Sequence, residues 1–236
     1  MPATVQLAGA ADGRDDVAPP RGLYASIVKR VFDVVIAAAL IAILLPLMAV
    51  VWLAVRLVLG APVLHREVRA GFGGRPIGIT KFRSMREASG PDGRPLPDAA
   101  RLGGFGRLLR RTSLDELPQL FSVVLGDMSM VGPRPLPERY VSRYSPRQAT
   151  RLLVRPGLTG WAQIHGRNAV AWPERLAYDA RYVELLRLPV APAVDLWILF
   201  ATVFQVVGQA LTGWGVAAPG SATMGEFLPA DPPEQP

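Results

Sequence analysis

The chain has 236 residues, half of them hydrophobic, which is enough for one well-buried domain and short for two. Its 26 Lys and Arg against 19 Asp and Glu leave a net charge of +7, which points to an anionic partner: nucleic acid, an acidic lipid surface or a phosphorylated substrate. With no cysteine there is neither a disulfide framework nor a thiolate metal site, and two histidines, His65 and His165, cannot build a histidine-rich metal centre.

Residues 1–20 mix Ala, Gly, Asp and Pro without periodicity and are expected to be disordered. From Val34 to Val55 run 22 residues without a charge, bracketed by Lys29, Arg30 and Asp33 before and Arg56 after. At 1.5 Å per residue that covers a bilayer core of roughly 30 Å, and it exceeds the apolar stretch of about 7 to 15 residues found in a cleavable signal peptide. Residues 21–60 are therefore expected to form a membrane-embedded helix. Pro46 removes a backbone hydrogen bond near its middle, and basic residues flank both ends. These features fit a spanning helix as well as one that bends and returns to the face it entered.

A catalytic domain is expected over residues 61–225. Val63–Val68 and Pro76–Phe82, joined by AGFGG, predict a β-hairpin, and Glu87–Ala100, rich in turn formers, predicts a loop. Helical patterns follow at 104–111, 115–125, 145–153 and 172–187, with a Gly- and Pro-rich bend at Val131–Pro137. The apolar run Leu196–Leu211 carries Gln205 and Gln209 and suits an interfacial or a buried helix better than a second span. Residues 226–236 are proline-rich and expected to be a flexible tail.

The candidate chemistry lies in RRTSLDELPQL. Asp115 and Glu116 fall near the start of a helical pattern, where orphan N–H groups and the helix dipole favour negative charge. Ser113 and Glu116 have the spacing of a capping box, which conflicts with Pro118 unless the helix begins nearer Asp115. A lone acidic pair at a helix start is most often a cap, so the surroundings decide. Arg110 and Arg111 lie next to it and can bind phosphate oxygens. Arg134, between Pro133 and Pro135, is a guanidinium on a stiff turn, suited to bidentate phosphate recognition. RPGLTGWAQIHGRN contributes Arg155 and Arg167 among glycines, with Trp161 better placed as core than as a stacking platform. Lys29 and Lys81 are the only lysines in an arginine-rich chain, and Lys81, in KFRSM with Arg83, suits a compact point charge on phosphate.

Taken in order, KRVFD at 29–33, the proline-interrupted apolar run, RAG at 69–71, KFRSM at 81–85, SLDELPQL at 113–120, GDMSMVGPRP at 126–135 and RPGLTGWAQIHGRN at 155–168 resemble the bacterial sugar transferase family, the monotopic phosphoglycosyl transferases that act on polyprenyl phosphates. The resemblance runs from about Lys29 to Gly225. It implies an α+β fold, mainly helical with a small β-hairpin, one proline-broken re-entrant membrane helix and further interfacial amphipathic helices. It implies that Asp115 is a nucleophile, that Glu116 assists it and helps place Mg²⁺, and that Lys81, Arg83, Arg110, Arg111, Arg134, Arg155 and Arg167 bind substrate. The implied partners are a UDP-sugar, polyprenyl phosphate and membrane lipid, at the bacterial cytoplasmic membrane with the catalytic domain on the cytoplasmic face; nucleic acid is not expected, and self-association stays open. The family often has Ser-Pro where this chain has Leu45-Pro46. Rival classes are a membrane-tethered nucleic-acid binder, disfavoured because Asp115, Glu116, Asp127, Glu138 and Asp179 are interleaved with the basic residues, and a non-catalytic scaffold.

Overall fold

The longest apolar run becomes the longest helix, α1 (Lys29–Val58), entered through a π-helical turn at Tyr24–Val28. This and all that follows come from a computed structural model that describes residues 19–20, 22–94, 96–166, 170–212 and 226–228. Pro46 lies inside α1, which runs through it as one uninterrupted helix rather than the proline-broken one expected. The buried residues of α1 are Lys29, Asp33 and Ala37 in its first half and Met48, Val51 and Val55 in its second. At 100° per residue all six share one face, an arc of about 100°. No residue from 38 to 47 is buried. Both halves of α1 thus rest on the same body: Leu40 and Ile41 still pack against the main core, Leu44 is half-buried, and residues 45–47 at Pro46 are exposed.

A hairpin follows, β1 (Leu64–Ala70) antiparallel to β2 (Pro76–Phe82), with Leu64 opposite Phe82 and Ala70 opposite Pro76. The chain then passes through the expected loop, whose last three residues, Asp98 to Ala100, instead open a short helix, α2 (Asp98–Arg101), and enters α3 (Gly104–Arg111). A Cβ on Gly106 would lie 1.8 Å from the carbonyl oxygen of Ser84, so glycine is what lets α3 lie directly against the end of the hairpin. A 3₁₀ turn at Leu114–Glu116 leads to α4 (Gln119–Leu125).

The polar segments beyond α4 hold a feature that their pattern did not predict: β3 (Ser129–Val131) pairs in parallel with β4 (Gly157–Thr159). The backbones approach so closely that a Cβ on Gly157 would meet the Gly132 nitrogen at 2.0 Å. Between them lie α5 (Pro146–Ala149), started by a capping box of Ser145 and Gln148, and a 3₁₀ turn at Thr150–Leu153. The chain closes with α6 (Trp161–Ile164), α7 (Trp172–Leu185) and α8 (Ala191–Thr212).

Ala37 joins Ile79, Leu120, Val123, Met128, Val131, Tyr182 and Ile198 in the main core, and Trp161 packs against it as expected. Met48, Val51 and Val55 form a second cluster with Val63, Phe82 and Leu109. The root of α1 is fixed by polar groups. Asp195 of α8 accepts hydrogen bonds from Lys29 (2.8 Å) and Tyr24 (2.7 Å) at Oδ2 and from Tyr182 (2.7 Å) at Oδ1. Asp33 accepts from the Ser129 hydroxyl at 2.6 Å and from the Met130 N–H at 3.1 Å, which carries the network into β3. Arg30 donates to the carbonyls of Val123 and Val124 at the end of α4.

Both α1 and α8 are long and apolar enough to cross a membrane by length and composition. Their outer faces expose large apolar residues, Ile43, Val50, Trp52 and Leu57 on α1 and Trp197, Phe200, Val203, Phe204 and Leu211 on α8. Such contiguous apolar surface is what water disfavours and lipid accepts. The glutamines of α8 face protein: Gln205 donates to the Ile164 carbonyl at 3.0 Å, and Gln209 is buried. One expectation is corrected at the C-terminus. Residues 226–228 of the expected flexible tail are docked, with Phe227 buried beside Leu136, Tyr140 and Leu176. The expected disorder of residues 1–18 and 229–236 concerns positions outside the described residues.

Candidate active site

Asp115 is presented by a backbone arrangement the local pattern did not anticipate. Ser113 adopts a left-handed conformation, φ 55° and ψ 18°, the only non-glycine residue with positive φ among the described residues. A residue with a Cβ costs free energy there, and such strain concentrates at functional sites. The expected capping box does not form: the Ser113 side chain caps nothing, and α4 begins at Gln119, four residues after Asp115. Pro118 explains the late start, since its missing N–H is harmless immediately before the first helical residue and harmful further in. The two carboxylates therefore sit on a tight 3₁₀ turn rather than within the first turn of α4.

Asp115 is 7% exposed. Burial and the neighbouring Glu116 charge push its carboxyl up to about 6, against the opposing pull of Arg110, Lys81 and Arg134. Three of the expected cations thus converge on it: Lys81 from β2, Arg110 from α3 and Arg134 from the Pro133–Pro135 turn. Arg134 forms an ion pair with Glu116, through a close Nη2 to Oε1 contact and an Nη1 to Oε2 bond of 3.4 Å. Arg110 Nε donates to the Ser84 hydroxyl at 3.0 Å.

Other expected residues have different work. Arg83 donates to the carbonyls of Leu59, Gly60 (2.8 Å) and Ala61 (3.2 Å) and pairs with Glu87 at 3.3 Å. It straps the link between α1 and β1, with its Nη donors taken by backbone carbonyls and Glu87 and its Nε buried without a partner, so none is offered to phosphate. Arg155 Nε donates to the Gly126 carbonyl at 2.9 Å, tying β4 to the end of α4. Arg111 ends α3 with its Nε buried and without a hydrogen-bond partner in the structure. Arg167 lies outside the described residues.

Sequence reasoning missed two supports. Glu67, on β1, pairs with Arg69 at 2.6 Å and with Lys81 at 3.5 Å. Burial pushes its carboxyl up, but the Arg69 hydrogen bond and charge and the Lys81 charge outweigh this and hold it below the usual range. The alternation of His65, Glu67 and Arg69 on one strand face was the available signal. Behind the Arg134 turn, buried Arg151 donates to the Arg134 carbonyl, pairs with Asp179 at 2.9 Å and donates to the Tyr144 hydroxyl at 2.9 Å. Arg151 and Asp179 are too far apart in sequence to form a local pattern.

Among the described residues no group of three or more His, Asp or Glu could hold a metal ion. Mg²⁺, however, is usually held by one or two carboxylates together with substrate phosphates and water. The adjacent Asp115 and Glu116 fit that mode, and the raised Asp115 carboxyl marks negative charge that a cation would relieve. Chemically, a buried carboxylate under opposing influences, with two guanidinium groups and an ammonium converging on it, is suited to attack a phosphorus centre and to balance the charge that develops there.

The sequence profile of the family described as bacterial sugar transferase matches residues 24–209. The chain is 43% identical to an uncharacterized sugar transferase, EpsL, of Bacillus subtilis, across 77% of this chain and 88% of that protein. It is 40% identical to a UDP-glucose:undecaprenyl-phosphate glucose-1-phosphate transferase of Caulobacter vibrioides, across 78% of this chain and 70% of that protein. It is also 38% identical to the exopolysaccharide production protein ExoY of Sinorhizobium fredii, across 74% of this chain and 83% of that protein.

Proposed function

The chain belongs to the bacterial sugar transferase family and is a phosphoglycosyl transferase, and on that basis we propose that it moves a sugar 1-phosphate from a UDP-sugar to undecaprenyl phosphate, releasing UMP, through a phosphosugar ester on Asp115. Its main support is the setting of Asp115, buried next to Glu116 with Lys81, Arg110 and Arg134 acting on it. In the first step a carboxylate oxygen of Asp115 attacks the phosphorus that bears the sugar. The new O–P bond forms as the bond to the bridging oxygen breaks, and UMP leaves with the electron pair. An oxygen of undecaprenyl phosphate then attacks the same phosphorus, the Asp115–phosphorus bond breaks, and the free carboxylate returns with the polyprenyl diphosphate sugar as product.

Lys81, Arg110 and Arg134 neutralise charge on the transferred group, which is most of what such displacements need from a protein. Asp115 and Glu116 would hold Mg²⁺, which when bound supplies further charge neutralisation at the phosphate oxygens. The re-entrant topology of this reading is supported by α1. A helix whose two halves both rest on one globular body, with exposed residues 45–47 at Pro46 between them, suits a shallow dip into one leaflet and a return to the same face. The exposed apolar face of α8 would lie along the same leaflet, keeping the prenyl tail in lipid while its phosphate reaches Asp115. We place the catalytic body on the cytoplasmic face of the bacterial membrane, at an initiating step of exopolysaccharide synthesis, in keeping with the ExoY relative.

The test is UMP release by the purified protein in detergent with Mg²⁺, undecaprenyl phosphate and a panel of UDP-sugars beginning with UDP-glucose. Release that depends on one donor, with matching polyprenyl diphosphate sugar, is expected; no release with any donor would overturn the assignment. Because the chain lacks cysteine, single cysteines placed before α1 and after it report topology directly. Both should react with a membrane-impermeant thiol reagent from the same side, whereas reaction from opposite sides would mean a spanning helix.

A further inference from the structure

Residues 226–228 occupy a built socket. Phe227 is 3% exposed, and its ring centroid lies 5.5 Å from that of Trp172, 5.6 Å from Tyr140 and 5.9 Å from Tyr144. Its N–H donates to the Tyr140 hydroxyl at 3.2 Å, and its carbonyl accepts from Arg143. Glu226 adds a charge clip, 3.0 Å from Arg143 and 3.8 Å from Arg139. One aromatic anchor, one carboxylate and two backbone bonds are how a protein captures a short peptide, and here the peptide is the chain's own C-terminal segment. No regular element requires these residues to be there.

The socket backs onto the active site by two routes. Leu136, in the same apolar cluster as Phe227, is two residues from Arg134. Tyr144, against the Phe227 ring, accepts from Arg151, and Arg151 donates to the Arg134 carbonyl. We propose that Glu226–Leu228 form a C-terminal latch that positions Arg134, with Phe227 as the positioning residue acting through Leu136, Tyr144 and Arg151. This rests on the role given above to Arg134. With the socket empty, Tyr144 and Leu136 lose their packing partner, the Arg151 side chain loses its brace, and the Pro133–Pro135 turn is free to shift the guanidinium away from Glu116 and Asp115.

The experiment uses the full chain carrying Phe227→Ala, assayed by UMP release, with Phe227→Leu and Arg134→Lys alongside. Misplacing a charge by a fraction of an ångström predicts a fall in kcat of about tenfold for Phe227→Ala, with most of it recovered in Phe227→Leu, which refills the socket. A synthetic peptide of residues 225–236, added in trans, should restore kcat, and the same peptide with Ala in place of Phe should not. A general loss of folded protein would scale activity down with the peptide inert and Phe227→Leu no better than Phe227→Ala, and that result overturns the latch. So does full activity in Phe227→Ala when Arg134→Lys is impaired. If Arg134→Lys is itself fully active, the role of Arg134 falls rather than the docking of the tail, which peptide binding to Phe227→Ala still reports.

Discussion

Two regions of this molecule each bring a pair of carboxylates together with cations, and they use them in opposite ways. At the root of α1, Asp33 and Asp195 accept hydrogen bonds from Lys29, Tyr24, Tyr182, Ser129 and a backbone N–H, so both oxygens of each are occupied. Around Asp115 the fold instead places a like charge at Glu116, sets three cations nearby and strains Ser113. The first arrangement gives every carboxylate oxygen of the pair a hydrogen-bond donor and ties α1 to α8 and β3. The second keeps a buried carboxylate in an unfavourable state, which costs stability and, in the proposed mechanism, supplies the nucleophile.

The widest separation between the two regions should come from neutralising one carboxylate in each. Asp115→Asn is expected to lower kcat for UMP release by at least about 10³-fold, because a neutral amide replaces the nucleophilic carboxylate. The same change should raise stability at pH 7.5. The folded carboxyl titrates at about 6 and the unfolded one near 3.8, so the fold prefers the protonated form, and wild-type stability falls as pH rises from about 4 to 6. The asparagine variant should be more stable above pH 6 by about 1–3 kcal/mol and match wild type below pH 4, as read by thermal melts across pH. Asp195→Asn should do the reverse, leaving Lys29 buried without its 2.8 Å partner and lowering stability by about 3 kcal/mol at pH 7.5. Stability changes of the same sign in both variants would break the comparison.

The pH profile sharpens it. With the Asp115 carboxyl near 6, kcat/KM should fall about tenfold per pH unit on the acid side of that value, since only the ionised form attacks. A limb near the ordinary carboxylate range would mean that the site leaves the group unperturbed. The smallest effect concerns the backbone. Ser113→Val, which puts a β-branched side chain at φ 55°, should destabilise by about 1–2 kcal/mol, while Ser113→Gly should melt within about 1 kcal/mol of wild type. Equal melting of the two would mean the left-handed turn is not what holds Asp115.

Much of this was legible before any coordinates. The alternation and AGFGG turn marked the hairpin, the uncharged run marked α1, and the motifs carrying Lys81, Arg110, Asp115, Glu116 and Arg134 named the side chains that the fold brings together. What was hidden depends on tertiary contact. The β3–β4 pair rests on backbone approach at Gly132 and Gly157, which three-residue segments do not advertise. Arg83 carries the same charge as Arg110, and only packing shows that its donors serve backbone carbonyls. The helix start at Gln119 follows from Pro118 overriding the cap spacing of Ser113 and Glu116. Phe227, in a segment whose composition suggests disorder, is held by aromatic rings that lie more than fifty residues away in the chain.

The most direct test of the central claim is the mass of the intact chain after exposure to its UDP-sugar donor and Mg²⁺ with no polyprenyl phosphate present. The protein should gain one sugar phosphate, mapped by fragmentation to Asp115 and absent from Asp115→Asn, and lose it when undecaprenyl phosphate is added. An enzyme that turns over its donor and acceptor while its mass with donor alone stays unchanged, or that carries the group on another residue, would contradict a covalent role for Asp115.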